Sequence, residues 1–527
     1  MAFSPETYMK LKGLGGRAGG FATLNENGKL PNDQMPAVIE EALPYGSAPA
    51  MDGTASAGES DDYARGDHVH PTDTSRAPLA SPALTGTPTA PTQPTADNST
   101  KLATTEFVKN AIGAARYGHV YGFHIDSSES DPSACVTYLA DAVGATPAAM
   151  DYTNGRFEYG FWADAFFLPK PCMLKSDGTV DYYLDPDDYS KKYDGTASDV
   201  ADDTYDGNAM MEWGQGGKKI WYKIVPDPDD NTSASVYIAD YQVDEDYRAW
   251  SFINNQGILV DHFYTPIYNG SLDSNGKLRS ISGKPYSALC QGKTSAQEVA
   301  AAELNNPSTD KLWYTEVYAD VTIINLLLIL MAKSLDMQTA FGTGRCGQSA
   351  AASSMLGTGT LDDKGQFFGY SANTGAVKVF GMENWWGNQW RRYAGHIMNS
   401  YVQKYKMTRG RQDGSTADDY IQSTTATDYN GYLTSATAPS TNGFVKAMEF
   451  NANGFMTKTV GGTSVDSAHY WCDYFYQNSG LRYALRGGAC HVTDGPTGAF
   501  YVYLSGIPDY TYWAAGAAPS CKPLSPV

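Results

Sequence analysis

Phe500-Tyr501-Val502-Tyr503-Leu504-Ser505 sorts its residues into two opposite sets. Successive side chains of a strand point to opposite faces, so Phe500, Val502 and Leu504 fall on one side and Tyr501, Tyr503 and Ser505 on the other. The first set is core material. The second, continued by Asp509, Tyr510, Thr511 and Tyr512, mixes stiff aromatic area with small adaptable polar groups, as binding surfaces do. Arg486-Gly487-Gly488 before the stretch, and Trp513 and Gly516 after it, have scaffold character. The pattern predicts a β framework presenting a contact surface, not a site for bond-making.

Bulk composition narrows the partners. The 527 residues carry 58 Asp+Glu against 38 Lys+Arg, a net charge of -20, which argues against the basic stripe a nucleic-acid partner requires. It also disfavours adsorption to anionic lipid. Tyrosine (37) and glycine (53) are both frequent, favouring strands and turns over long helices; the expected class is α+β. Seven cysteines (Cys135, Cys172, Cys290, Cys346, Cys472, Cys490, Cys521) show no ligand spacing and read as buried free thiols rather than a disulfide framework. Met1-Ala-Phe-Ser-Pro-Glu lacks the features of a signal peptide. The apolar run Val321 to Met331 is too short to span a bilayer and predicts a buried helix. A soluble protein made in a cytoplasm is expected, with no membrane insertion and no cofactor.

Organisation changes along the chain. Asn27-Gly28 is a tight-turn signal, and 46–60 has linker composition. Leu79-Ala-Ser-Pro-Ala-Leu-Thr-Gly-Thr-Pro-Thr-Ala-Pro-Thr-Gln-Pro94 cannot be helical and should be extended. A helix is expected from Ser99 or Thr100, with Leu102, Phe107, Val108, Ala111 and Ile112 on its apolar side. Segments this thin bury too little surface alone; a trimeric stalk or plain disorder are the two outcomes. From about Arg116 the composition is globular. A hairpin turn is read at Asp177-Gly178, a strand at Lys219 to Val225, and a long apolar helix from Leu312 to Leu335. Asp185 to Asp188 and Asp227 to Asp230 read as surface loops rather than calcium sites, because neither has EF-hand spacing.

Two resemblances follow. Asp67-His-Val-His-Pro71, the Leu79 to Pro91 run and Ala103-Thr-Thr-Glu-Phe-Val-Lys109, in that order, resemble the shaft module of tailed-bacteriophage tail fibres. Gly20-Phe-Ala-Thr-Leu-Asn-Glu-Asn-Gly-Lys-Leu-Pro31 is similar to N-terminal segments of phage tail proteins. Gly381-Met-Glu-Asn-Trp-Trp-Gly-Asn-Gln-Trp390, Leu485-Arg-Gly-Gly488 and Gly516-Ala-Ala-Pro-Ser-Cys521 resemble C-type-lectin-like domains of the formylglycine-generating-enzyme type. Within that group the chain is similar to the variable proteins of diversity-generating retroelements, departing from them at Ala489-Cys490. The resemblance implies an extended trimeric N-terminal stalk followed by a large C-type-lectin-like domain. The divisions are a tail-attachment segment (1–50), a Pro/Thr-rich shaft with a short trimerising helix (51–115), the first part of the globular domain with insertions (116–310) and a receptor-binding domain (311–527).

The same resemblance implies a constant frame of Asn384, Trp386, Gly387, Asn388, Trp390, Arg486, Gly487, Gly488 and Gly516. Its ligand-contact positions would be His491, Thr493, Asp494, Tyr501, Tyr503, Ser505, Asp509, Tyr510 and Tyr512. The expected partners are a bacterial surface receptor, protein or glycan, and other tail or baseplate proteins, with the chain in the virion tail after assembly in the host cytoplasm. Replacing Tyr501, Tyr503 and Tyr510 together should abolish adsorption and leave thermal stability nearly unchanged. His68 and His70 are either exposed connector residues or, repeated around a three-fold axis, ligands for an octahedral metal as in similar fibre tips. Trp385, Trp386 and Trp390 read as core wedges before a sugar-stacking shelf. The chain is not expected to be an enzyme. The alternatives are a glycan depolymerase, for which Thr315-Glu316 and Glu383 are weak carboxylate candidates, a formylglycine-type redox enzyme using Cys472 and Cys490, and a purely structural collar or baseplate protein.

Overall fold

The computed structural model describes residues 24, 26–29, 86–93, 99–105, 107–108, 118–308, 312–407, 434–493 and 497–524. The chain divides into two compact units, Met1–Gly113 and Ala114–Val527. In the first, residues 26–29 form a turn with Gly28 at φ +72, a left-handed conformation that glycine adopts without penalty. Residues 87–93 have no helix or strand, as their prolines dictate. Helical backbone is found at Thr105, Phe107 and Val108, not from Ser99 or Thr100. The start is set by Thr104, whose hydroxyl accepts from the Phe107 N–H at 3.0 Å, satisfying a donor that the first turn leaves free. His68 and His70 lie outside the described residues.

The second unit is mixed and mostly β. Its centre is the helix Tyr318–Ala332, every residue of which is buried. A helix enclosed on all sides must be apolar all round, which is why Val321 to Met331 shows no polar stripe. The sequence reading placed one helix over Leu312 to Leu335, but Trp313–Thr315 is a strand. Its bulky and β-branched residues pair with Pro519–Cys521, and strand pairing outweighs the apolar continuity that suggested a helix.

Three sheets pack around this helix. A four-stranded antiparallel sheet runs Val136–Ala140, Val120–Ile125, Ala234–Ala239, Trp221–Pro226. A seven-stranded sheet contains Gly207–Trp213, Lys170–Lys175 and Val180–Asp185, the last two joined by the turn at Asp177-Gly178. The C-terminal strand Pro519–Cys521 lies in that sheet between Trp313–Thr315 and Phe263–Pro266. Strands from both sides of the 310/311 division therefore share one sheet, within the unit Ala114–Val527.

The third sheet positions the site. Across it lie Thr434–Thr437, Val402–Tyr405, Trp390–Asn399, Arg482–Arg486, Val502–Leu504, Tyr474–Gln477, Gly443–Phe450 and Phe455–Val460, with Ala515–Gly516 parallel to the start of Trp390–Asn399. Phe500 and Leu504 enter the main core beside the central helix. Trp390, Leu485, Ala489, Val492, Tyr501, Ala514 and Ala515 form a separate small apolar cluster. The stretch from Phe500 to Ser505 thus parts two bodies of packing, and the face assignment read from its alternation holds.

Candidate functional site

The frame residues are buried, and several of them brace their neighbours. Asn325, a buried polar residue of the central helix, donates to the Ala499 carbonyl at 2.8 Å and accepts from the Trp385 indole N–H at 2.9 Å. Arg486 lies 3.6 Å over the Trp385 ring, donates to the Trp385 carbonyl at 2.7 Å and pairs with Glu316 at 2.8 Å. Glu316 also pairs with Arg391 at 3.0 Å, so one carboxylate holds two guanidiniums from neighbouring strands. Burial pushes Arg391 down to about 10, Glu316 opposing it. Asn388 clasps Leu356 through both its N–H and its carbonyl. Gly387 has φ +76, and a Cβ there would stand 2.7 Å from the Arg345 nitrogen. At Gly516 a Cβ would meet the Cys290 carbonyl oxygen at 1.9 Å. Trp385 and Trp386 are core wedges, with Trp390 reaching the underside of the surface above.

On this frame sits an open cleft of about 410 Å³. Its lining includes His491, Thr493, Tyr501, Tyr503, Ser505, Tyr510 and Tyr512, all of them expected contact positions. Asp509 is exposed but does not line it, and Asp494 lies outside the described residues. Tyr501 requires a correction. It is 2% exposed, with Trp390 edge-on at 4.9 Å and Tyr474 at 5.8 Å against its ring. It forms the cleft floor instead of projecting into solvent, so removing it cannot leave stability unchanged.

Tyr476 and Asn478 also line the cleft and were missed in the sequence. Tyr476 stacks on Tyr503 at 5.3 Å because Tyr474–Gln477 runs parallel to Val502–Leu504 in register Tyr476↔Tyr503. Tyr474-Phe475-Tyr476 has the same aromatic alternation as 500–505, a signal available in the sequence. The parallel register was not. On the opposite wall Tyr510 stacks on Tyr512 at 5.7 Å, and the Tyr512 hydroxyl meets His491 Nε2 at 3.2 Å.

The backbone of that wall is tied from beneath. Arg392 donates to the carbonyls of Tyr510 (3.1 Å) and Lys293 (3.2 Å), and its Nε pairs with Glu298 at 2.5 Å. The Ser295 N–H donates to the Pro508 carbonyl and that of Gly292 to Tyr512. On the other side Asp473 accepts from the Phe500 N–H and the Gln338 amide, both at 2.7 Å. Burial outweighs these donors and pushes its carboxyl up to about 8. Desolvation also raises Tyr510 to about 12 and lowers His491, so both are neutral near pH 7. Among the described residues, no carboxylate, ammonium or guanidinium lines the cleft.

The residues of the enzymatic alternatives are built into the frame. Cys490 packs with Leu289 and Met355, and burial pushes its thiol up to about 11; the Cys472 thiol is pushed up further, burial again leading. Thiols held protonated are poor nucleophiles. All seven cysteines are free and buried. Glu383 is 1% exposed and accepts from the Gly359 and Leu361 N–H groups and the Thr360 hydroxyl, bracing a loop. In the Asp-rich loops, Asp185, Asp188 and Asp230 accept from backbone N–H groups two residues on. Among the described residues, no helix is long and apolar enough to cross a membrane. No protein-family model matches the chain, and no curated protein matches it in sequence.

Proposed function

We propose that this chain is the receptor-binding component of a bacteriophage tail fibre. Residues 1–50 attach it to the tail, 51–115 form a homotrimeric shaft, and a C-type-lectin-like unit at the C-terminal end holds a bacterial surface receptor in the tyrosine-lined cleft. One observation carries the reading: seven residues expected to be contacts line one open cleft, while the residues expected to be constant are buried and only Trp390 among them reaches its lining. Tyr503, Ser505, Tyr510 and Tyr512 belong to segments whose backbone is fastened elsewhere, so their side chains can be exchanged without unfolding the frame. That is the property a diversified attachment surface needs.

Adsorption competition tests it. Excess purified chain should block attachment of virions to their host. The double variant Tyr503→Ser/Tyr510→Ser, with an unchanged melting temperature, should not. Equal competition by the variant overturns the assignment of the cleft.

A further inference from the structure

The attachment reading leaves open what chemistry the cleft holds. We infer that its ligand is an uncharged bacterial glycan, bound by aromatic stacking and side-chain hydrogen bonds. This inference rests on the attachment reading above.

Three features carry it. First, the chain has a net charge of -20, yet the described cleft lining is free of ionised side chains. Arg392, beneath the wall, is spent on two carbonyls and Glu298. Among the described lining residues a charged sugar or a charged side chain would meet no counter-ion, and a desolvated unpaired charge is costly.

Second, a peptide receives no backbone partner from the strand at the centre of the site. Extended peptides gain affinity by adding to a free sheet edge. Val502–Leu504 has no such edge, being paired on one side with Arg482–Arg486 and on the other with Tyr474–Gln477. Its flanking carbonyls are taken as well, Gly506 by the Tyr483 N–H and Leu504 by that of Asn478. Recognition there falls to side chains alone.

Third, those side chains match a pyranose. The stacked pairs Tyr476/Tyr503 and Tyr510/Tyr512 supply π-faces, whose negative quadrupole attracts the positive C–H face of a sugar ring. The Asn478 amide and the hydroxyls of Ser505 and Thr493 can exchange hydrogen bonds with sugar hydroxyls in both directions. The volume of about 410 Å³ falls within the roughly 300–1,000 Å³ of small-ligand clefts.

Cells of the bacterium to which the virion adsorbs provide the test, with the labelled full chain as probe. Cells are used untreated, after periodate oxidation of sugar diols, after protease digestion, and in salt raised from roughly 0.05 to 0.5 M, which removes most screened attraction. Periodate should abolish binding, while protease and salt leave it undiminished. Tyr503→Ser should weaken binding to untreated cells about tenfold or more, and Asn478→Ala should do the same with an unchanged melting temperature. Loss on protease treatment with survival of periodate makes the receptor a protein. Loss in high salt makes it a charged glycan. Either overturns the uncharged-glycan inference and leaves attachment through the cleft standing. Full binding by both variants removes the cleft from attachment, and the inference falls with it.

Discussion

Tyr501 meets Trp390 edge-on at 4.9 Å and is 2% exposed, whereas Tyr503, two residues along, is only half-buried on the cleft wall. Truncating Tyr501 to alanine removes a filled aromatic position and should cost about 3 kcal/mol. Tyr503→Ala should change stability by less than about 1 kcal/mol while weakening cell binding. Urea denaturation alongside a cell-binding assay separates them, and equal destabilisation would contradict the division of roles. Alternation in the sequence placed both on the correct face, but depth within that face depends on Trp390 and Tyr474, which come from other strands and which no local pattern encodes. His396 gives a residue-scale pH effect. Burial lowers its pKa to about 4, below the unfolded value of about 6.5. The unfolded chain therefore takes up a proton that the folded state refuses. Stability is full above pH ~6.5 and falls by about 3 kcal/mol as pH drops to ~4. His396→Gln should flatten this part of the acid limb in pH-dependent urea melts; an unchanged limb would mean that His396 protonates in place.

Between elements, strands and turns with their own chemistry were readable: Asp177-Gly178 closes a hairpin, and Trp221–Pro226 is a strand. What escaped was pairing between distant segments. The parallel match of Tyr474–Gln477 with Val502–Leu504 adds Tyr476 to the site, and the pairing of Trp313–Thr315 with the C-terminal strand turns an apparent helix into β structure. Two buried ion-pair systems hold these elements, and they should respond differently. Glu316 bridges Arg391 and Arg486, so Glu316→Gln strands two buried cations and should destabilise the unit by about 3 kcal/mol or more, seen as a lower urea midpoint. Arg392 instead fastens the cleft wall through the Tyr510 carbonyl. Lysine at that position lacks the planar fork. Arg392→Lys should raise amide hydrogen exchange across 508–513 and weaken cell binding more than it lowers global stability. Uniform acceleration across the whole sheet would mean that Arg392 serves the fold and not the wall.

At the level of the whole chain, residues 114–527 contain the central helix, its three sheets and every described residue of the cleft lining. The first unit's sequence has prolines at 82, 88, 91 and 94 among others, and in the proposed reading its shaft part joins copies together. If three chains associate through it, three clefts act on one cell surface, and each contact after the first forms at high effective concentration. A fragment spanning 114–527 should then melt at the same temperature as the full chain, sediment as a monomer, and bind cells about a hundredfold or more weakly. Fusing the fragment to an unrelated trimeric coiled coil should restore most of the loss, because the gain comes from copy number and not from contacts made by 1–113. Equal binding by monomeric fragment and full chain would mean that a single cleft suffices, and a shaft that multiplies weak contacts would have no part in attachment.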